Sequence, residues 1–146
     1  MRAPISIVLD RKGRDVATIR PDATLHVAAQ RLSEHEIGAL VVTEDDVHVA
    51  GILSERDIVR RVAREGTAAM ERTVGTAMTS PVTTCTPGTA VDELYRVLTE
   101  QRIRHVPVVE AGRLVGIVSI GDLVKWRMEE LADEAHHLQD YVRGSY

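Results

Sequence analysis

The sequence contains one short pattern twice, in which a serine precedes an aspartate by three positions. Ser54 and Asp57 form the first copy, and Ser119 and Asp122 form the second. A serine followed three residues later by an acidic residue is typical of a helix N-terminus, where each side chain binds the other residue's backbone amide. A carboxylate held at a helix start can also accept hydrogen bonds from ribose hydroxyls, and the free amides nearby favour phosphate. The pattern therefore indicates either helix capping or nucleotide binding.

The two serine–aspartate pairs belong to a longer internal repeat. Residues 16–21 (VATIRP) recur as residues 82–87 (VTTCTP), an offset of 66 positions that falls to 65 after a later turn. The other matched segments are 25–32 with 91–98, 37–42 with 103–108, and 51–59 with 116–124. Their apolar periodicity makes each copy read as strand, helix, strand, strand, helix.

This alternation of strands and helices predicts an α/β architecture. Two similar units should pack their sheets together, because neither unit buries its apolar face alone. We expect a first repeat with an N-terminal leader over residues 1–66, a second repeat over 72–128 and a helical tail over 129–146, with a linker over 65–71.

Composition excludes several classes of function. The chain has 146 residues, 44% of them hydrophobic, which predicts one compact domain and excludes disorder. A net charge of -4 argues against general binding of nucleic acid, and an aromatic content of 3% argues against stacking of single-stranded bases. We therefore do not expect nucleic acid as a partner.

Targeting signals and paired thiols are also not expected. The apolar runs are far shorter than the roughly 20 residues that span a bilayer, and Pro4 and early charged residues do not resemble a signal peptide. Cys85 is the single cysteine, so one chain can form neither a disulfide nor a site with several thiolates. These features predict a cytoplasmic protein with no membrane segment.

Taken together, the repeated motifs resemble a pair of CBS domains, also called a Bateman module, in its stand-alone bacterial form. Three motifs carry the resemblance, and each occurs twice in register: a leading strand ending in Thr18-Ile19 and in Thr84-Cys85, a strand starting at Ile37 and at Ile103, and a Gly-x-x-Ser-x-x-Asp pattern ending at Asp57 and at Asp122. The resemblance implies tandem CBS repeats that form one module with a C-terminal helical extension.

The resemblance also implies a ligand. Members of the family bind adenosyl nucleotides in clefts between the paired repeats, so AMP is expected first, with ADP, ATP, NAD or S-adenosylmethionine as alternatives. Asp57 and Asp122 would hold the ribose, and Ser54 and Ser119 would support the ribose or phosphate. The remaining positions that the resemblance assigns to the ligand are Val16, Thr18, Ile19, Val82, Thr84 and Cys85 at the adenine edge, Ala39, Val106 and Pro107 beside the base, and Arg56, Arg104 and His105 toward phosphate.

The two copies differ where the ligand would lie. The first has Gly38-Ala39 where the second has Arg104-His105, so we expect two unequal clefts. The basic pair should favour a phosphorylated ligand, and protonation of His105 near pH ~6.5 would make that binding pH-sensitive. A solvated Arg104 and a surface His105 with no ligand are the alternatives.

Other constellations indicate less specific roles. Arg60, Arg61 and Arg64 follow helical spacing and fit a solvated face better than a nucleic-acid patch. The adjacent histidines His136 and His137 point about 100° apart on a helix, so metal binding is not expected. Ser119, His105 and Asp122 lack the surroundings of an activated nucleophile, and we expect no enzymatic activity. Burial of Cys85 is preferred over reactivity.

The tail carries one apolar stripe at heptad spacing. Its members are Met128, Leu131, Ala135, Leu138 and Val142. Such a stripe must lie on a partner surface, and we expect a homodimer that the tail helps to clamp. Docking of the tail on its own protomer is the alternative.

We therefore interpret the chain as a regulatory, signal-transducing module that binds adenosyl nucleotides and couples occupancy to its conformation or to an unidentified regulated protein. The alternative function is a protein-interaction module whose clefts are empty or vestigial.

Overall fold

The structure, a computed structural model, describes residues 3–144; residues 1, 2, 145 and 146, at the ends of the predicted leader and tail, lie outside the described residues. The helices are α1 (Ile5–Lys12), α2 (Leu25–His35), α3 (Glu55–Glu65), α4 (Val74–Ala77), α5 (Val91–Gln101) and α6 (Ile120–Gly144). The strands are β1 (Thr18–Ile19), β2 (Ala39–Val42), β3 (Gly51–Ser54), β4 (His105–Glu110) and β5 (Arg113–Ser119), and a 3-10 helix covers Gly66–Glu71.

The first repeat forms a three-stranded sheet in the order β1-β2-β3. Strand β1 runs parallel to β2, with Thr18 opposite Val41, and β2 runs antiparallel to β3, with Ala39 opposite Ser54. All four residues of β2 are buried, as expected for a short apolar run in the centre of a sheet. The register places Ser54, the last residue of β3, at the start of α3.

The second repeat is built around the hairpin β4-β5. His105 lies opposite Ser119, so the start of β4 and the end of β5 meet at one edge. The turn between the strands has two residues at positive φ, Ala111 and Gly112, the conformation that a tight two-residue hairpin requires. The leading strand is reduced to a parallel bridge, in which the Cys85 amide donates to Pro107 O at 3.1 Å.

Each repeat receives a helix from outside its own segment of the chain. Helix α1 precedes the first repeat but packs in the core of the second, where the Ile5 amide donates to Thr89 O at 2.8 Å. Helix α4 follows the first repeat and packs into that repeat's core, where the Val74 amide donates to Ala23 O at 2.8 Å. The two helices therefore complete two separate aliphatic cores.

The C-terminal helix α6 changes character along its length. Leu123 and Trp126 are buried in the second core, and Arg11 of α1 pairs with Glu129 at 3.3 Å and Glu130 at 2.9 Å. Every residue from 131 to 144 is exposed. The alternative expectation, that the tail docks on its own protomer, is therefore wrong for the stripe from Leu131 onward. Within residues 3–144, none of the helices has both the length and the apolar character that crossing a bilayer demands.

We predict that Leu9→Ala lowers the free energy of unfolding by about 2–5 kcal/mol, because a fully buried leucine is replaced by a cavity in the second core. Ile7→Ala, on the exposed side of the same helix, should cost less than about 1 kcal/mol. Urea unfolding of both variants measures the difference. Equal small losses would contradict the contribution of α1 to that core.

Candidate functional site

A cleft of about 470 Å³ opens between the two repeats, a size suited to a small-molecule ligand. Both repeats contribute to its walls. The first repeat supplies the start of α3, and the second supplies the segment before its leading strand, the end of α5 and the start of β4. The lining residues are Gly38, Ile52, Ser54, Glu55, Arg56, Asp57, Arg60, Thr79, Pro81, Val82, Thr83, Gln101, Arg102, Ile103, Arg104, His105, Ser119, Ile120 and Gly121.

One carboxylate of this cleft, that of Asp57, is held by a capping box. Ser54 Oγ accepts a hydrogen bond from the Asp57 amide at 3.2 Å, and Asp57 Oδ2 accepts from the Ser54 amide at 2.9 Å and from Ser54 Oγ at 3.1 Å. The predicted capping role is therefore confirmed. Among residues 3–144, Asp57 Oδ1 has no hydrogen-bond partner. Capping uses one oxygen and leaves the other to accept from a ligand, so the two interpretations of the motif are compatible.

Four arginines line the same cleft: Arg56, Arg60, Arg102 and Arg104. Within the described part of the chain, none of them has a carboxylate within 4.0 Å. Arg61, which shares the helix with two of them, instead pairs with Glu65 at 3.4 Å and donates to Thr76 O. Guanidinium groups stay charged and bind phosphate by paired hydrogen bonds. The cleft therefore offers a set of cations suited to an anionic ligand.

His105 of the second repeat lies against Gly38 of the first. Its Cε1 would be 3.2 Å from a Cβ atom built at Gly38, so glycine leaves the room that the imidazole occupies. Burial, and next the charge of Arg104, lower the pKa of His105, and nearby Asp122 and Glu55 only partly oppose them. The expectation of protonation near pH ~6.5 is therefore corrected, because desolvation disfavours the charged ring and moves its protonation to lower pH.

The structure brings together only part of the predicted site. Of the predicted residues, this cleft contains Ser54, Arg56, Asp57, Val82, Arg104, His105 and Ser119. The others lie outside its lining: Val16, Thr18, Ile19, Ala39, Thr84, Cys85, Val106, Pro107 and Asp122. Burial raises the pKa of the Cys85 thiol to about 12, which keeps it protonated and unreactive.

Sequence reasoning missed Arg102 and, beside the predicted Val82, the residues Thr79, Pro81 and Thr83. Arg102 ends α5 in the left-handed region, with φ of 55°. Glu36 is the equivalent residue at the end of α2, and it also has a positive φ. Comparison of the two copies at this position, glutamate in one and arginine in the other, could have identified Arg102. No motif marks Thr79 or Pro81, and this part of the chain reaches the cleft because the Thr79 amide donates to Ile52 O at 2.9 Å.

Asp122 occupies the equivalent helix start of the second repeat. Its Oδ2 accepts from the Ser119 amide at 2.8 Å and from Lys12 Nζ at 2.6 Å. Burial alone would raise the pKa of Asp122, but the hydrogen bonds from Lys12 and Ser119 outweigh it and lower that pKa. Ser119 Oγ accepts from the Asp122 amide at 3.1 Å, so its hydroxyl serves as a cap. Residues 3–144 contain no group of three or more potential metal ligands.

Comparison with known proteins assigns the family. The CBS domain model matches residues 9–64 and 74–129, so the chain belongs to the CBS-domain family. YhcV of Bacillus subtilis, a CBS domain-containing protein, is 32% identical over 119 residues, covering 82% of this chain and 84% of the relative. The predicted pair of CBS domains is confirmed.

Solved structures agree in fold. The CBS-domain protein ATU1752 from Agrobacterium tumefaciens is 49% identical, with a TM-score of 0.83 over 87% of this chain and 95% of that one. The CBS domain pair of protein MJ0100, solved with 5-methylthioadenosine and S-adenosyl-L-methionine, is 24% identical, with a TM-score of 0.79 over 89% of this chain and 99% of that one. The tandem-repeat α/β fold with a C-terminal helix is therefore confirmed.

We predict that the chain loses stability as the pH falls from about 6.5, the ordinary pKa of histidine. The unfolded chain then binds a proton that the folded His105 resists, because its pKa is lowered in the fold. The loss should continue until the pH falls below the folded-state pKa. Urea unfolding between pH 8 and 5 measures it.

The matched controls are His105→Gln, which should flatten this part of the profile, and the exposed His137→Gln, which should not. An unchanged profile in His105→Gln would show that another group causes the loss.

Proposed function

We propose that this protein is a regulatory module that binds an adenosyl nucleotide in the cleft between its CBS repeats. One observation carries the proposal: the cleft joins a capped carboxylate with a free oxygen, Asp57 Oδ1, to four arginines without ion-pair partners among the described residues. A carboxylate oxygen binds a ribose diol, and arginines bind a phosphate. AMP is the first candidate, with ADP, ATP, NAD and S-adenosylmethionine as alternatives.

The proposed pose follows the lining of the cleft. The ribose hydroxyls donate to Asp57 Oδ1, and the phosphate lies among Arg56, Arg102 and Arg104. The adenine lies toward Val82, the first residue of the second leading segment, with apolar Ile52 and Ile103 nearby. The MJ0100 domain pair shares the fold and holds adenosyl compounds, which supports this ligand class.

The charge of the cleft favours a phosphorylated ligand over a neutral nucleoside. The lining includes four arginines and two acidic residues, Glu55 and Asp57. Water is partly excluded from such a cleft, so these charges act more strongly on a phosphate than they would on an open surface. Among the adenosyl compounds, we expect the nucleotides to bind more tightly than adenosine.

Regulation would follow from the position of the ligand across two repeats. Asp57 and Arg56 belong to the first repeat, and Arg102 and Arg104 to the second. A nucleotide that contacts both sides favours the arrangement in which they are close, and it shifts the module by its difference in affinity for the two arrangements. We propose this non-catalytic coupling, in the cytoplasm, as the signal to a separate regulated protein.

A thermal-shift panel of AMP, ADP, ATP, NAD and S-adenosylmethionine, with GTP for comparison, tests the ligand. A compound at 100 times its Kd should stabilise the fold by about 2.7 kcal/mol, a shift of roughly 5–10 °C for a domain of this size. Asp57→Ala should weaken that binding by at least about tenfold, since a hydrogen bond to a charged group is lost.

Thr24→Ala is the matched control, because Thr24 caps α2 outside the cleft. It should cost about 0.5–2 kcal/mol of stability and leave the affinity unchanged. If no adenosyl compound acts at millimolar concentration, the chain is better described as a protein-interaction module. If Asp57→Ala loses stability but not affinity, its carboxylate is a cap alone.

We also propose that the module is a homodimer. Its exposed apolar surface includes the tail stripe, with Leu131 and Leu138 exposed by 45% and 66%. A second apolar groove lies between α2 and α3, lined by Leu32, Ile58 and the exposed Val59. Stripes of this spacing pack against a partner helix. A second copy of the chain offers the same surfaces, so two-fold pairing would cover both.

The double substitution Leu131→Glu and Leu138→Glu should shift the dimer toward monomer, because it places charge in the apolar stripe. Light scattering after size-exclusion chromatography measures the mass. His137→Glu with Arg143→Gln changes the charge equally on another side of the helix and should leave the dimer intact. A monomeric parent chain, or a double-glutamate variant that remains dimeric, would refute this arrangement.

A further inference from the structure

The two copies of the repeat differ at one position shortly before their leading segments. Lys12 in the first copy stands at the position of Met78 in the second, by the offset of 66. After Met78 the chain pairs as a strand, with the Thr79 amide donating to Ile52 O at 2.9 Å and the Ile52 amide donating to Thr79 O at 3.1 Å. The donor to Ile52 O is therefore a backbone amide.

In the second repeat, a side chain rather than a backbone amide supplies the donor to the equivalent carbonyl oxygen. Helix α1 runs through Lys12, whereas α4 ends at Ala77, before Met78. Lys12 Nζ donates to Ile117 O at 2.8 Å, and Ile117 matches Ile52 in the repeat. The same ammonium donates to Asp122 Oδ2 at 2.6 Å. Only Asp122, of the two equivalent aspartates, therefore has a cation as a direct partner among the described residues.

Lys12 is held in this position by the packing of its own helix. The Leu9 side chain lies so close to β5 that a Cβ atom at Gly116 would be 2.8 Å from Leu9 Cδ2. Arg11 binds Glu129 and Glu130 of α6. Helix α1 is thus fixed on the second repeat from two sides, and Lys12 cannot leave Asp122 by a shift of the whole helix without breaking these contacts.

The surroundings of Asp122 also carry fewer basic residues than those of Asp57. By the repeat, the positions of Arg102, Arg104 and Arg56 are taken by Glu36, Gly38 and Gly121. Lys125 alone keeps the basic character of its counterpart, Arg60. The Asp122 side therefore offers a carboxylate paired with Lys12 and one basic counterpart, so a nucleotide that reached Asp122 should bind more weakly than one at Asp57.

We propose that Lys12 is a built-in counter-ion that keeps nucleotide from Asp122, so that each chain takes one nucleotide, at Asp57. This inference rests on the proposed nucleotide function and adds to it the number of sites and the residue that sets it. A ribose at Asp122 must displace the ammonium from Asp122 Oδ2 and leave Ile117 O without its donor, which is costly for a partly buried ion pair.

Isothermal titration calorimetry with AMP counts the sites. The parent chain should bind one AMP per chain. Asp57→Ala should weaken that event by at least about tenfold, whereas Asp122→Ala should leave it unchanged. Lys12→Met places the residue of position 78 at position 12, and we expect a second AMP per chain that binds more weakly than the first. The second event should disappear in the double variant Lys12→Met with Asp122→Ala.

Two control variants separate the ion pair from a general effect of charge. Lys12→Arg keeps a cation and should still bind one AMP. Lys125→Met removes the same charge one helical turn beyond Asp122 and should also bind one. In Lys12→Met, carboxyl NMR should show Asp122 titrating at a higher pH than in the parent chain, which reports the loss of the pair without any ligand.

The outcomes distinguish this inference from the function on which it rests. Two AMP in the parent chain, one AMP in Lys12→Met, or a loss of all binding in Lys12→Met would overturn the counter-ion role, the last by showing that Lys12 contacts the ligand. No AMP in either chain would overturn both proposals. Binding to Lys12→Met alone, through Asp122, would support the counter-ion and refute the Asp57 site.

Discussion

The exchange of helices between the two repeats is the constraint on which the rest of the structure depends. Each aliphatic core is closed by a helix from outside its own repeat, α1 for the second and α4 for the first. The connecting segments must therefore cross between the repeats, and residues 79–83 reach the wall of the cleft. The same exchange brings Lys12, at the end of α1, to Asp122. The helix exchange therefore produces both the cleft that the two repeats share and the salt bridge at Asp122.

The elements were predictable because local pattern determines them. The 66-residue offset placed the strands and helices, and the serine–aspartate motifs marked both helix starts, where the capping boxes form. The pairing between repeats was not predictable, because periodicity along a chain does not show which copy faces which. Arg104 and His105 of the second repeat thus meet Asp57 of the first. Nothing in the spacing indicated that Lys12 contacts Asp122.

The two aspartates have unequal surroundings because of the way the two repeats pair. The sequence predicts that the two copies differ, because Gly38 in the first corresponds to Arg104 in the second. The effect of this difference depends on which aspartate lines the same cleft as the arginines. The structure joins Asp57 to the cations and gives Asp122 a lysine of its own. Two repeats of similar sequence can in this way carry one charged ligand site, with the second repeat contributing packing and the mutual arrangement of the repeats.

The most direct test of the account is a crystal structure of the chain grown with AMP. The account predicts one nucleotide in the cleft between the repeats, with ribose hydroxyls on Asp57 Oδ1, phosphate among Arg56, Arg102 and Arg104, and Lys12 still bound to Asp122. A nucleotide seated on Asp122 with the arginines unoccupied would contradict it.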